Sequence, residues 1–186
     1  MNKNQLYKEL ENTSALRENR LRVSNLIIED VSCIKHLIDI VFDVNDEISV
    51  KAAWVLEFVA KKDLTPIFPF LNIFTKNIQK VHFGGAVRSL AKISQLLIEK
   101  NNRQAFLTEI QKELFIETAF DWMISTHKVA IKAYSMRNLF LLGKETDWVH
   151  DELKIIIQDN ISKESAAYKS RGRITLDQIE KYLLVK

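Results

Sequence analysis

The chain has 186 residues, with 27 Lys and Arg against 24 Asp and Glu, 47% apolar residues, one cysteine, four glycines and two prolines. Gly and Pro make up about 3% of it, against roughly 12% in average proteins, too few for a fold built on many tight turns; the composition points to an all-α protein forming a single domain over 1–186. No segment approaches the ~18 unbroken apolar residues of a membrane span, and a lone Cys33 excludes a disulfide framework.

The charge is unevenly placed. Residues 1–162 hold 21 basic and 21 acidic groups, whereas 163–186 hold six and three. That surplus falls far short of the dense basic stripe of a dedicated nucleic-acid protein.

Apolar residues recur at helical spacing along almost the whole chain. The polar start Met1–Gln5 contains no apolar signal core and runs into a helix over 3–12 carrying Leu6 and Leu10. A cytoplasmic, reducing location is expected, with Cys33 acting as a small buried apolar residue. Helices follow at 14–29 (Leu16, Val23, Leu26, Ile27), 31–43 (Ile34, Leu37, Ile38, Val41) and 46–62, the last opened by Asn45-Asp46 as a cap. The next spans 66–80, where Pro66 and Pro69 suit a first turn. Further helices are expected at 84–100, 104–125 and 128–143, with Gly143 as a left-handed cap and Lys144 meeting exposed carbonyls. Asp147 caps a helix over 148–159, and the last helix covers 163–184 with room for a break near Gly172–Thr175. Trp54, Trp122 and Trp148 fall in apolar segments and are expected in the core.

Internal self-similarity is the strongest signal. Val50-Lys51-Ala52-Ala53-Trp54, Val87-Arg88-Ser89-Leu90-Ala91, Ile131-Lys132-Ala133-Tyr134-Ser135 and Tyr168-Lys169-Ser170-Arg171-Gly172 share a β-branched or bulky residue, a cation, two variable positions and a usually small residue. In three of them an apolar residue follows four positions on (Phe58, Leu139, Leu176); Gln95 stands there in the second. The cations are spaced by 37, 44 and 37 residues, the length of two short helices, and Asn101-Asn102-Arg103 can loop out the longer step. Within 46–62, Ile48, Ala52, Val55 and Val59 form one apolar stripe while Ala53, Leu56 and Ala60 begin another, so that helix must be covered on two sides.

Over residues 30–180 this pattern resembles the HEAT and armadillo-type α-solenoid repeats, whose second helix carries Val-Arg/Lys-x-x-Ala-x-x-x-Leu. The resemblance implies a HEAT-like α-α superhelix of about four helix pairs, with second helices near 46–62, 84–100, 128–143 and 163–176. Lys51–Phe58 and Lys132–Met136 also resemble stretches of short helical proteins, some of them catalogued as adenylosuccinate lyase. The Ser-, Met-, Lys-, Asn- and Pro-rich catalytic loop of such lyases has no counterpart, since both prolines lie in Thr65–Pro69.

Chemistry-bearing motifs are sparse. The four histidines, at 36, 82, 127 and 150, form no His-Glu-x-x-His, so no metal site is assigned. Gly143-Lys144-Glu145 lacks the hydroxyl and first glycine of a phosphate loop, and Ser-x-x-Lys occurs three times without companion motifs. Gly84-Gly85 suits either an anion at a helix start or close helix packing. His82 and His127 occupy corresponding turns, where they could polarise a substrate or simply face solvent. Glu57, embedded in Val55–Val59, calls for a cation from a neighbouring repeat. No catalytic residue and no cofactor is assigned.

The candidate surface is the cation ladder. In a stack, Lys51, Arg88, Lys132 and Lys169 take equivalent places, joined by Arg171, Arg173 and Arg137, with Trp54 alongside; the ladder either pairs with adjacent repeats or lines a concave binding face. The expected function is a non-catalytic protein-interaction scaffold that takes a protein or acidic peptide on that face. The alternative is DNA binding or base excision through the ladder, since alkyl-base DNA glycosylases use a HEAT-like architecture. No membrane partner is expected, and the sequence says nothing of oligomeric state.

Overall fold

The computed structural model describes residues 1–185. Helix α1 (Lys3–Glu11) begins with a reciprocal cap: Asn2 Oδ1 accepts the Gln5 backbone N–H while Gln5 Oε1 accepts that of Asn2. It is followed by α2 (Arg17–Glu29), a 3₁₀ turn at Val31–Cys33, α3 (Ile34–Val41) and α4 (Ile48–Lys62). Both prolines sit in a 3₁₀ turn at Thr65–Phe70, which leads into α5 (Leu71–Asn77). After a further turn at Ile78–Lys80 come α6 (Gly84–Asn101), α7 (Glu109–Ile124), α8 (Val129–Leu142), α9 (Asp147–Asn160) and α10 (Ala166–Val185). Among the described residues there is no strand.

Several expected boundaries move for identifiable reasons. The helices anticipated at 31–43 and 66–80 each split into 3₁₀ and α pieces; Pro69 cannot donate into an α-helical ladder, and tighter turns absorb the defect. The helix anticipated from 104 starts at Glu109, because the buried Asn101 side chain accepts the N–H groups of both Phe106 and Leu107 and holds that stretch as a loop. Thr108 then caps α7 in a box with Gln111. The helix expected from 46 starts at Ile48 with Glu47 in the cap position; Asp46, one residue earlier, accepts the Ile48 N–H and also receives the Tyr7 hydroxyl at 2.8 Å. Asp147 is the first residue of α9 and Thr146 is its cap position.

The glycines act through space, not backbone freedom. Gly143 is right-handed at φ −64°, ψ −11°, which corrects the expected left-handed cap. A Cβ there would lie 2.2 Å from Cδ2 of the buried His150 ring. That ring is fixed by the hydrogen bond between its Nε2 and the Phe140 carbonyl at 2.9 Å, by stacking on Phe140 and by an edge contact with Tyr182. Gly172 does not break the last helix: α10 is continuous, and a Cβ at Gly172 would meet Ile157 Cγ2 at 2.9 Å. Trp148 is the other correction. It is 56% exposed at the first turn of α9, stacked on Phe120, while Trp122 is buried.

The chain forms two compact units, Met1–Leu96 and the residues from Leu97 onward, with the boundary inside α6. In the first, α4 is packed by α1, α2 and α3. Ala52, Ala53, Val55, Leu56, Val59 and Ala60 are all buried, the two-sided coverage that its double stripe demands. The start of α6 runs alongside α4 in the same direction: Gly85 lies against Val50 and Trp54, and Ser89 against Glu57. In the second unit, α8 is packed by α7, α9 and α10. Here α8 and α10 run parallel, since Lys132 near the start of α8 meets Glu164 just before α10, and Lys144 after its end meets Tyr182 near the end of α10. Each unit thus places second helices of successive pairs side by side.

Replacing Gly143 with Ala should cost about 2 kcal/mol, the penalty of overpacking against a ring that cannot withdraw. In a His150→Ala background the same change should cost nearly nothing, a coupling readable from urea unfolding of the four proteins of the cycle.

Candidate functional site

The ladder cations are largely in use. Lys51 Nζ donates to the carbonyl of Glu11, the last residue of α1, at 2.5 Å. Arg88 reaches back to α4, its Nη1 3.3 Å from Glu57 Oε2. Glu57 is itself only 1% exposed and is further held by Lys61 and by the Ser89 hydroxyl at 2.7 Å, so the carboxylate expected to seek a neighbouring cation has three donors. Lys132 reaches forward, its Nζ 2.5 Å from Glu164 and 5.8 Å from the Tyr168 ring, with 11% of the side chain exposed. Equivalent sequence positions therefore perform three different jobs. On α10, Lys169 is half-buried and Arg171 and Arg173 are exposed, and none of the three meets a carboxylate among the described residues.

Trp54 is half-buried beneath the Arg20 guanidinium, which sits 5.8 Å from its ring. It lines an open, mainly apolar recess of about 380 Å³ with Glu47, Ile48, Val50, Lys51 and Phe83. Gly85 permits this approach, because its Cβ would come within 2.8 Å of Val50 Cγ1; of the two readings of Gly84-Gly85, close packing is the one observed at Gly85.

The second unit holds a different cleft. Glu99, Asn102 and Arg103 from the end of α6 and its turn face Arg137, Leu141 and Lys144 from the end of α8 across an open cleft of about 470 Å³. Arg137 Nε donates to Glu99 Oε1 at 3.3 Å, and its guanidinium lies 5.6 Å from the Phe140 ring. Arg103 Nε donates to the Glu99 backbone carbonyl at 3.3 Å. Lys144 is held by its backbone, whose carbonyl accepts the Tyr182 hydroxyl at 2.9 Å, and its Nζ stands 5.1 Å from the Phe140 ring and 5.7 Å from that of Tyr182. Neither Arg103 nor Lys144 meets a carboxylate within ion-pair distance among the described residues. The arrangement can hold an anion.

Of these residues only Arg137 stands out in the sequence pattern. The others have a signal in hindsight: 137, 141 and 144 are spaced to share one helix face, as are 99, 102 and 103. What spacing cannot show is that the two faces meet.

His82 is exposed against the Phe83 ring. Partial burial, then the nearby Lys132 cation, push the pKa of the His127 imidazole below its ordinary value. No group of three His, Cys, Asp or Glu among the described residues could hold a metal ion, and no helix among them is long and apolar enough to cross a membrane.

Residues 6–179 match a family model, that of the HEAT repeat domain. The chain belongs to the HEAT-repeat family. Its fold is accordingly the all-α, HEAT-like helical solenoid, and HEAT repeats are scaffolds that generally bind proteins. No curated protein and no solved structure matches the chain.

Two stability effects follow for this HEAT-repeat chain. Glu57→Ala strips three donors of a buried acceptor and should cost about 2 kcal/mol, Arg88→Ala about 1 because its side chain is 44% exposed, and the double variant less than the sum. Tyr168 behaves oppositely. Its hydroxyl is buried without a protein partner, and burial, then Glu164, push it up to about 12. Tyr168→Phe should therefore raise stability by about 1 kcal/mol. Between pH 10 and about 12 the unfolded phenol ionises while the folded one stays protonated, so the wild type should lose stability relative to the variant as pH rises through that window. Chemical unfolding at pH 7 and pH 11 checks both statements.

Proposed function

We propose that this chain is a non-catalytic scaffold that binds a protein partner through an acidic segment, lying along the concave side of its repeats. The family supports the scaffold role, and the distribution of unspent charge supports the acidic segment. Lys51, Arg88 and Lys132 order the repeats, leaving recognition to cations that meet no carboxylate among the described residues: Arg103 and Lys144 in the cleft, and Lys169, Arg171 and Arg173 on α10. The Trp54 recess offers the partner an apolar anchor point.

Residues 1–186 act as one module in this proposal, since one family match runs across both compact units. Cys33 is buried and unpaired, which suits a reducing compartment, and we place the protein in the cytoplasm.

The observation that carries the proposal is that the cleft between the end of α6 and the end of α8 presents three cations against one carboxylate. Affinity capture of the tagged protein from its native cells, with and without nuclease, should recover a nuclease-resistant protein with an acidic segment. Arg103→Glu/Lys144→Glu should weaken that capture at least about tenfold with unchanged helical content by circular dichroism. Recovery of nucleic acid, or partners that vanish with nuclease, would overturn the proposal in favour of DNA binding.

A further inference from the structure

The cleft lined by Glu99, Asn102, Arg103, Arg137, Leu141 and Lys144 has a charge that a single carboxylate does not match. Glu99 offsets one of three cations through Arg137 Nε at 3.3 Å, and its backbone carbonyl takes Arg103 Nε at 3.3 Å. The outer nitrogens of both guanidinium groups and the Lys144 ammonium remain without a carboxylate among the described residues, so two positive charges face one open volume of about 470 Å³.

We propose that this cleft takes a phosphorylated serine or threonine side chain. The inference rests on the protein-scaffold function above and names the group recognised. A phosphate monoester carries about −1.5 to −2 charge at neutral pH and three acceptor oxygens, and so neutralises the excess where a Glu or Asp side chain leaves half of it. Two guanidinium groups supply the forked donors that fit phosphate oxygens. Lys144 adds a point charge already positioned over the Phe140 and Tyr182 rings, which limits the ordering lost on binding. Asn102, whose Nδ2 donates one N–H to the Ile98 carbonyl at 3.3 Å, brings its second amide N–H, and Leu141 gives the aliphatic stem an apolar surface. A phosphoprotein fits better than a nucleic-acid strand, because a strand is held by a row of some six to ten phosphate contacts and these cations converge on one place.

The test uses the full chain and degenerate dodecapeptides bearing central phosphothreonine, phosphoserine, Glu or Thr, with inorganic phosphate as competitor. Fluorescence anisotropy should show phosphopeptides binding at least tenfold more tightly than the Glu and Thr versions. That preference should fall tenfold in Lys144→Gln and in Arg103→Gln, the latter an exposed position whose loss leaves the fold intact. The Nε–Hε resonances of Arg103 and Arg137 should shift with phosphopeptide and not with the Thr peptide. Equal affinity for the Glu peptide, binding indifferent to both substitutions, or competition by inorganic phosphate at the phosphopeptide's own affinity would each overturn the proposal. Capture of a nuclease-resistant partner that survives phosphatase would sink the phosphate group and leave the scaffold standing. Tight phosphopeptide binding with no protein captured would do the reverse.

Discussion

The constraint on which the structure depends is that its second helices are apolar on two sides. A helix such as α4, with Ala52, Val55 and Val59 on one stripe and Ala53, Leu56 and Ala60 on another, exposes too much apolar surface to lie at the edge of a fold. Covering it takes its own pair partner on one side and a further helix on another, supplied in the first unit by α3 with α1 and α2. In the second unit α8 is met in the same way by α7, α9 and α10. Close approach between these helices then sets the small residues: Gly85 beneath Val50, and Gly172 beneath Ile157.

Two-sided burial also decides what becomes of charge. A carboxylate at 57 is carried into the interior by its own helix and must be given donors there. Arg88, Lys61 and Ser89 supply them. Lys132 is similarly drawn down to Glu164 and Tyr168. A cation early in each second helix is thus available to the fold before it is available to a partner, and the local surroundings settle its use. Lys51 meets no carboxylate within ion-pair distance among the described residues and donates to the last carbonyl of α1 instead.

How much of this could be read from the sequence follows from how local each signal is. The all-α class, the helix pairs and the repeat depend on spacing along one helix, and the apolar positions of α4 carry them plainly. The Glu57 partnership is legible for the same reason, since a carboxylate four residues after Ala53 and three before Ala60 shares their buried face. Gly143 was not: a glycine after a helix suggests a left-handed cap, and only the position of His150, seven residues on, shows that the missing Cβ is what matters. Trp148 misleads because hydrophobicity alone does not say which side of α9 faces inward. The cleft is the least legible feature. Its two faces come from α6 and α8, separated in sequence by the whole of α7, and neither face stands out until the other is seen opposite it.

The unspent cations gain meaning from this economy of charge. Like charges gathered in one cleft repel, and a fold that pairs Arg88 and Lys132 has the means to pair others. Around Glu99 it stops short. One carboxylate serves Arg137, while Lys144 is held over two aromatic rings and Arg103 is tied only to a backbone carbonyl, arrangements that position a cation without neutralising it. Self-repulsion of this kind lowers stability in the free protein and is relieved when an anion enters. An anion bound there, as proposed, would be linked to folding as well as to recognition, because it would relieve in the folded state a repulsion that the free protein carries.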